Sequence, residues 1–79
     1  MLNEATLRQV MATVLQVPEE SIGPNASMDN VATWDSLRHM NLILALEEEF
    51  GASIPDEDAA NLTSYALLKV VLEELLSET

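Results

Sequence analysis

Three residues close together in this 79-residue chain, Asp35, Ser36 and His39, are of the types that build a nucleophilic hydrolase site. Such a site needs the histidine to accept the serine proton and the aspartate to hold the histidine from behind. Because Asp35 and Ser36 are adjacent at a predicted helix start, that order of contacts is difficult to build. The chain also lacks a Gly-x-Ser-x-Gly turn. We therefore predict no hydrolase, and expect His39 to lie on the surface or to pack on Trp34.

The acidic runs "EEEF" and "DEDAAN" raise the alternative of a metal site. An EF-hand loop needs oxygen ligands at alternate positions, a glycine at its sixth position and a closing glutamate. Asp56, Asp58 and Ala60 do not follow that pattern. We predict no specific metal site.

Ser36 has two interpretations. On helix physics alone it continues the cap that Asp35 begins, since serine is common at helix starts. Alternatively, its hydroxyl is kept exposed for covalent modification. A phosphate at that point would meet free backbone amides and the positive end of the helix dipole. The local residues favour the first interpretation and leave the second open.

The charge of the chain indicates its class of partner. Fourteen acids face three cations, which gives a net charge of −11. Such a surface repels nucleic-acid phosphates and anionic lipids, and it attracts proteins with basic patches. The acids could also serve only to keep a small domain in solution. A hydrophobic content of 48% favours a folded chain over a disordered one.

Length and apolar runs predict one small domain over residues 1–79. The absence of cysteine excludes disulfides and suits a reducing compartment. The opening "MLNEATLRQV" lacks the features of a secretion signal, and "LILAL" and "YALLKVVL" are too short to span a bilayer. We expect a cytoplasmic monomer without membrane insertion.

Apolar spacing predicts a first helix that is capped by Asn3 and ends near Val17, ahead of Pro18. The second helix is predicted over 36–50, with Asp35 as its cap and Gly51 as its stop. Between them lies a long connection over 18–34, whose apolar residues should hold it to the core: Ile22, Met28, Val31 and Trp34.

A short helix is predicted over 56–61, after Pro55. Thr63 or Ser64 should cap a last helix that ends near Leu76. Its inward stripe is predicted as Leu67, Val71 and Leu75, broadened by Leu68, Leu72 and Leu76. With no strand-like alternation, the chain is predicted to be all-α, a small bundle of three long helices and one short one.

The segment "DSLRHMNLILALEEEFG", followed by "IPDEDA", resembles the acyl carrier protein family. The likeness covers nearly the whole chain and includes "VPEESIGPNASM" in the long connection. In that family an Asp-Ser-Leu opens the second helix, and its serine carries a 4′-phosphopantetheine arm that holds acyl groups as thioesters. The resemblance implies a carrier that is no enzyme itself. Its implied partners are a phosphopantetheinyl transferase, an acyl-loading ligase or transferase, and synthase-type enzymes.

By this resemblance Ser36 is the attachment residue, and Asp35 belongs to the recognition motif. The resemblance also implies a partner-facing set, with apolar contacts at Leu37 and Met40 and acids at Glu47, Glu48 and Asp56.

The chain departs from the family at the start of its second helix, where carriers of fatty acid synthesis usually have acids. Here stand Arg38, His39 and Asn41, and a cation near a helix N-terminus opposes the dipole. Together with Trp34, this pattern resembles stand-alone carriers of specialised pathways. The expected function is therefore acyl transport in such a pathway or in fatty-acid- or polyketide-like synthesis. Arg38 either selects partners or pairs with an acid such as Asp35. The alternative function is an unmodified acidic helical adaptor that only binds proteins.

Overall fold

The computed structural model describes residues 2–77, and these form four helices. The helices are α1 (Glu4–Leu15), α2 (Ser36–Phe50), α3 (Asp56–Ala59) and α4 (Tyr65–Ser77). A single 3₁₀ turn, Glu19–Ser21, lies between α1 and α2. Residues 2–77 contain no strand, only an isolated bridge between Ser27 and Ser64. The predicted all-α bundle of three long helices and one short one is confirmed, although α3 is two residues shorter than predicted.

Helix α1 begins as predicted and ends earlier. The Asn3 side chain accepts hydrogen bonds from two amides of the first turn, at 3.0 and 3.3 Å. The helix ends at Leu15 and not near Val17, because Gln16 takes the left-handed conformation with φ of 57° and its N–H bonds Ala12 O. The prediction placed the end of the helix next to Pro18, but the left-handed Gln16 ends it two residues before that proline.

The core is formed by one side of each long helix together with apolar residues of the connections between the helices. The fully buried side chains are Leu7, Met11, Leu15, Ile22, Trp34, Leu42, Leu46, Leu68 and Leu72. Burying one such aliphatic side chain contributes about 1.5–3 kcal/mol. None of the described helices combines the length and apolarity that a membrane span requires.

The long connection is held against the bundle by the residues that the sequence predicted. Ile22, Val31 and Trp34 are buried, and Met28 packs against the core. Two backbone hydrogen bonds join this connection to the start of α4: Met28 N to Thr63 O at 3.0 Å and Tyr65 N to Ala26 O at 2.9 Å. The connection that leads into α2 is therefore held by its buried side chains and by its hydrogen bonds to the start of α4.

The inward side of α4 differs from the predicted one. Of the two predicted caps, Ser64 is the one used, since its Oγ accepts from Leu67 N at 3.2 Å. Leu68 and Leu72 point into the core, whereas Leu67, predicted to lie on the inward stripe, is 45% exposed. The prediction was wrong for Leu67 because α4 is apolar on several sides, so that periodicity alone does not fix its orientation.

Candidate functional site

Ser36 is the first residue of α2, and its side chain is exposed. The preceding Asp35 provides the cap: its Oδ1 accepts from Arg38 N at 2.9 Å, and its carbonyl accepts from His39 N at 2.8 Å. Within residues 2–77 the Ser36 hydroxyl has no hydrogen-bond partner. Asp35 caps the helix, as predicted. The interpretation in which Ser36 continues that cap is wrong, and the Ser36 hydroxyl is left free.

The backbone around Ser36 suits a negatively charged group. In the described part of the chain, the amides of Ser36 and Leu37 have no hydrogen-bond partner. These amides lie at the positive end of a 15-residue helix. A phosphate bonded to Ser36 Oγ would be stabilised there, and the helix would keep its Asp35 cap.

His39 is buried and fully engaged. Trp34 Nε1 donates to His39 Nδ1 at 3.0 Å, and His39 Nε2 lies 2.7 Å from Ala59 O. The prediction of a surface histidine is wrong, while packing on Trp34 is confirmed, with ring centroids 6.0 Å apart. Because neither ring nitrogen is left for Ser36 or Asp35, the hydrolase arrangement does not form.

Beside Ser36, α2 presents a stripe of exposed apolar side chains. Leu37 is 70% exposed, Met40 66% and Leu44 62%. Their spacing of three and four residues places them on one face of the helix. Leu37 and Met40 were predicted from the sequence and Leu44 was not, although the i, i+3, i+7 spacing was the signal that could have found it. An exposed apolar stripe of this kind is typical of a protein-binding surface.

The predicted acids are divided between two grooves. Glu47 and Asp56 line a groove of about 330 Å³ between α2 and α3, together with Met40 and Leu44. Glu48 lines another groove, between α1 and α2. Glu47 also holds the loop that follows α2, because its Oε2 accepts a hydrogen bond from Ile54 N at 2.7 Å. No group of three or more potential metal-binding side chains lies together in residues 2–77.

The Arg38 side chain lies on the first turn of α2 without an ion-pair partner within residues 2–77. Its Nη1 is buried and makes no hydrogen bond. The only ion pair within residues 2–77 joins Lys69 Nζ to Glu4 Oε2 at 3.5 Å, so the expected alternative of an Arg38–Asp35 pair is not formed. A buried unpaired donor is unfavourable unless a ligand or partner satisfies it. Arg38 and the free amides of α2 are therefore the groups at this end that are available to an anionic ligand.

Comparison with known proteins is consistent with this geometry. The family model described as "Phosphopantetheine attachment site" matches residues 5–70. An acyl carrier protein from Thermosynechococcus vestitus is 45% identical over 56 residues, which are 71% of this chain and 69% of that protein. The fold is similar to the solution NMR structure of a holo acyl carrier protein from Geobacter metallireducens. That match has a TM-score of 0.85 and 23% identity, over 99% of this chain and 90% of the other.

Residues 5–70 match the family model, and they lie within a four-helix bundle. This part of the chain is therefore a phosphopantetheine attachment domain. The chain belongs to the acyl carrier protein family. Proteins of this family carry acyl groups on phosphopantetheine and are not catalysts. They work with a phosphopantetheinyl transferase and with transferases and synthases. The predicted family, fold and prosthetic group are confirmed.

Proposed function

We propose that this chain is a stand-alone acyl carrier protein in which 4′-phosphopantetheine is attached to Ser36. The observation that carries the proposal is the free, exposed Ser36 hydroxyl at the start of α2, where Asp35 already supplies the cap. It occurs in a chain that matches the phosphopantetheine attachment family, and Ser36 is within the matched residues.

The chemistry asked of the chain is one phosphoryl transfer. Ser36 Oγ is the nucleophile, and it bonds to the phosphorus of coenzyme A that carries the pantetheine half. The bond from that phosphorus to the bridging oxygen breaks, and the nucleotide half leaves as adenosine bisphosphate. The serine proton passes to a base of the transferase. When bound, the arm supplies a thiol that holds acyl groups as thioesters.

The partner surface follows from the exposed face of α2. Leu37 and Met40 would contact apolar side chains of each partner enzyme, while Glu47, Glu48 and Asp56 would face basic patches. With a net charge of −11, attraction to a basic patch also speeds encounter. Tethering the intermediate to Ser36 raises its effective concentration at whichever enzyme is docked. The partners are the transferase, an acyl-loading ligase or transferase, and synthase-type enzymes.

We place the carrier in a specialised biosynthetic pathway and not in general fatty acid synthesis. Arg38 supports this assignment, because it puts an unpaired cation on the first turn of α2. A partner with a uniformly basic docking surface would be repelled at that point, and a partner offering an acid would be favoured.

Intact mass of the protein isolated from its native cell tests the proposal. A carrier gains the phosphopantetheine arm, and the remaining mass identifies the acyl cargo and so the pathway. Protein that stays at its unmodified mass in a cell with an active phosphopantetheinyl transferase would support the alternative, an acidic adaptor that only binds proteins.

A further inference from the structure

The His39 side chain connects Trp34, on the other side of Ser36, to helix α3. Trp34 lies two positions before Ser36, and His39 lies three positions after it. Their side chains share a buried hydrogen bond of 3.0 Å, and the other nitrogen of His39 reaches Ala59 O, the last residue of α3, at 2.7 Å. We call this chain of contacts the Trp34–His39–Ala59 bridge.

The bridge fixes the tautomer of His39. An indole N–H can only donate, so His39 Nδ1 must accept, and the ring proton must lie on Nε2. Nε2 then donates to Ala59 O. The neutral imidazole with its proton on Nε2 satisfies both partners. Any other form places two donors face to face at Trp34 or two acceptors at Ala59.

Helix α3 is short and contacts α2 through this bond. It has four residues, and its N-terminal position is Pro55, which makes no side-chain cap. So short a helix is not stable by itself, because nucleation costs more than one turn returns. None of its side chains is fully buried. Buried Ile54 and Leu62 flank α3, and Ala59 packs against the core. The bond to His39 adds a directional contact between α3 and the first turn of α2.

We propose that His39 is a positioning residue that holds α3, and with it Asp56, at a fixed place relative to Ser36. A phosphopantetheinyl transferase then binds the hydroxyl and the acid of α3 as one preformed surface. The proposal rests on the attachment to Ser36 proposed above. Its physical basis is that a partner loses affinity when it must first order a mobile segment of its target.

Two substitutions of His39 each remove one of the two hydrogen bonds of the bridge. In His39→Asn, the amide oxygen can still accept from Trp34 near the position of Nδ1, but nothing reaches Ala59. In His39→Gln, the amide nitrogen can still donate to Ala59 O near the position of Nε2, while the acceptor for Trp34 is lost. Leu42→Val is the matched control, since it disturbs a fully buried neighbour on α2 and leaves the bridge intact.

Amide hydrogen exchange measures the bridge without any partner enzyme. The reporters are Ala59 N and Ala60 N, which bond back to Pro55 O and Asp56 O. In His39→Asn they should exchange about fivefold faster relative to amides of the α2 core, as expected for the loss of one ordinary hydrogen bond. His39→Gln should leave these amides unchanged and instead speed exchange of the Trp34 indole N–H. In the wild type, ¹⁵N spectra of the imidazole should show the proton on Nε2.

Transferase kinetics measures the positioning. With coenzyme A and a phosphopantetheinyl transferase, His39→Asn should raise KM for the carrier about fivefold at unchanged kcat, while His39→Gln and Leu42→Val stay near the wild type. Equal effects of the Asn and Gln variants at every amide would show that His39 only fills space. An unchanged KM with a loosened α3 would also overturn the proposal. If the wild type gained no arm at all, the attachment itself would be refuted, while the exchange results would still judge the bridge.

Discussion

Two polar regions of this protein differ in whether their polar groups have partners within the chain. Where α1 meets α4, Tyr65 OH donates to Glu4 Oε1 at 2.9 Å, and Lys69 Nζ lies 3.5 Å from the other carboxylate oxygen. At the start of α2, the Ser36 hydroxyl is free and Arg38 Nη1 has no partner. The first region is satisfied within the chain and joins two helices. The second retains an exposed hydroxyl and an unpaired guanidinium nitrogen, which are available to a modification or a partner.

The contacts of the first region shift the pKa values of two of its groups. The hydrogen bond from Tyr65, with Lys69 adding to it, holds the pKa of Glu4 below its ordinary value. Burial, together with the bond to Glu4, raises the pKa of Tyr65. The Glu4 contribution to stability is therefore present above the ordinary carboxyl pKa and is lost as pH falls through the lowered one. The Tyr65 contribution is complete below the ordinary tyrosine pKa and is lost as pH rises through the raised one.

The largest contrast should appear when the charge of one cation is reversed in each region. Arg38→Asp removes an unpaired positive charge from the proposed docking end. It should raise kcat/KM about tenfold with an enzyme of fatty acid synthesis and lower it by a similar factor with the enzyme that loads this carrier in its own cell. The measurement is steady-state kinetics of both enzymes at low salt.

Lys69→Asp is the matched control for that comparison. It removes a cation that is already paired with Glu4, so it should lower the melting temperature and leave both kinetic constants unchanged. Equal kinetic behaviour of the Arg38 and Lys69 variants would mean that Arg38 is ordinary surface and that the contrast between the two regions has no functional meaning.

A smaller effect is expected within the satisfied region. Tyr65→Phe removes the donor to Glu4 and keeps the buried ring, so unfolding should become easier by about 1 kcal/mol. Denaturant titration at a series of pH values measures this. The variant should also lose less stability than the wild type on acidification, since its Glu4 no longer has the bond that lowers its pKa. The same acid dependence in both proteins would contradict the role given to this bond.

The smallest effect concerns the acids outside both regions. Fourteen acids face three cations, and within residues 2–77 only one ion pair forms, so most acids repel one another. Raising the ionic strength should lift the melting temperature by about 2–4 °C, half of what 1 kcal/mol gives in a domain of this size. Millimolar divalent cation should lift it further. A flat or falling melting temperature would show that the acids are compensated locally.

What the sequence could predict depended on how local the cause was. Both ends of α2 were predicted correctly, because Asp35 and Gly51 act on amides and carbonyls within four residues. The inward side of α4 was not, since leucines lie on several sides of it and the choice is made by packing. The contact between His39 and Ala59 was not predicted either. Ala59 is twenty residues away from His39, and only the folded chain brings the two together.

The attachment itself is tested most directly by intact mass after incubation with coenzyme A and a broad-specificity phosphopantetheinyl transferase. Ser36→Ala is compared with Ser53→Ala, which removes another exposed serine from the loop after α2. Since Asp35 supplies the cap, the Ser36→Ala protein should fold and melt like the wild type but gain no mass. The wild type and Ser53→Ala should both gain one arm. A phosphopantetheine gain on the Ser36→Ala protein would contradict the assignment.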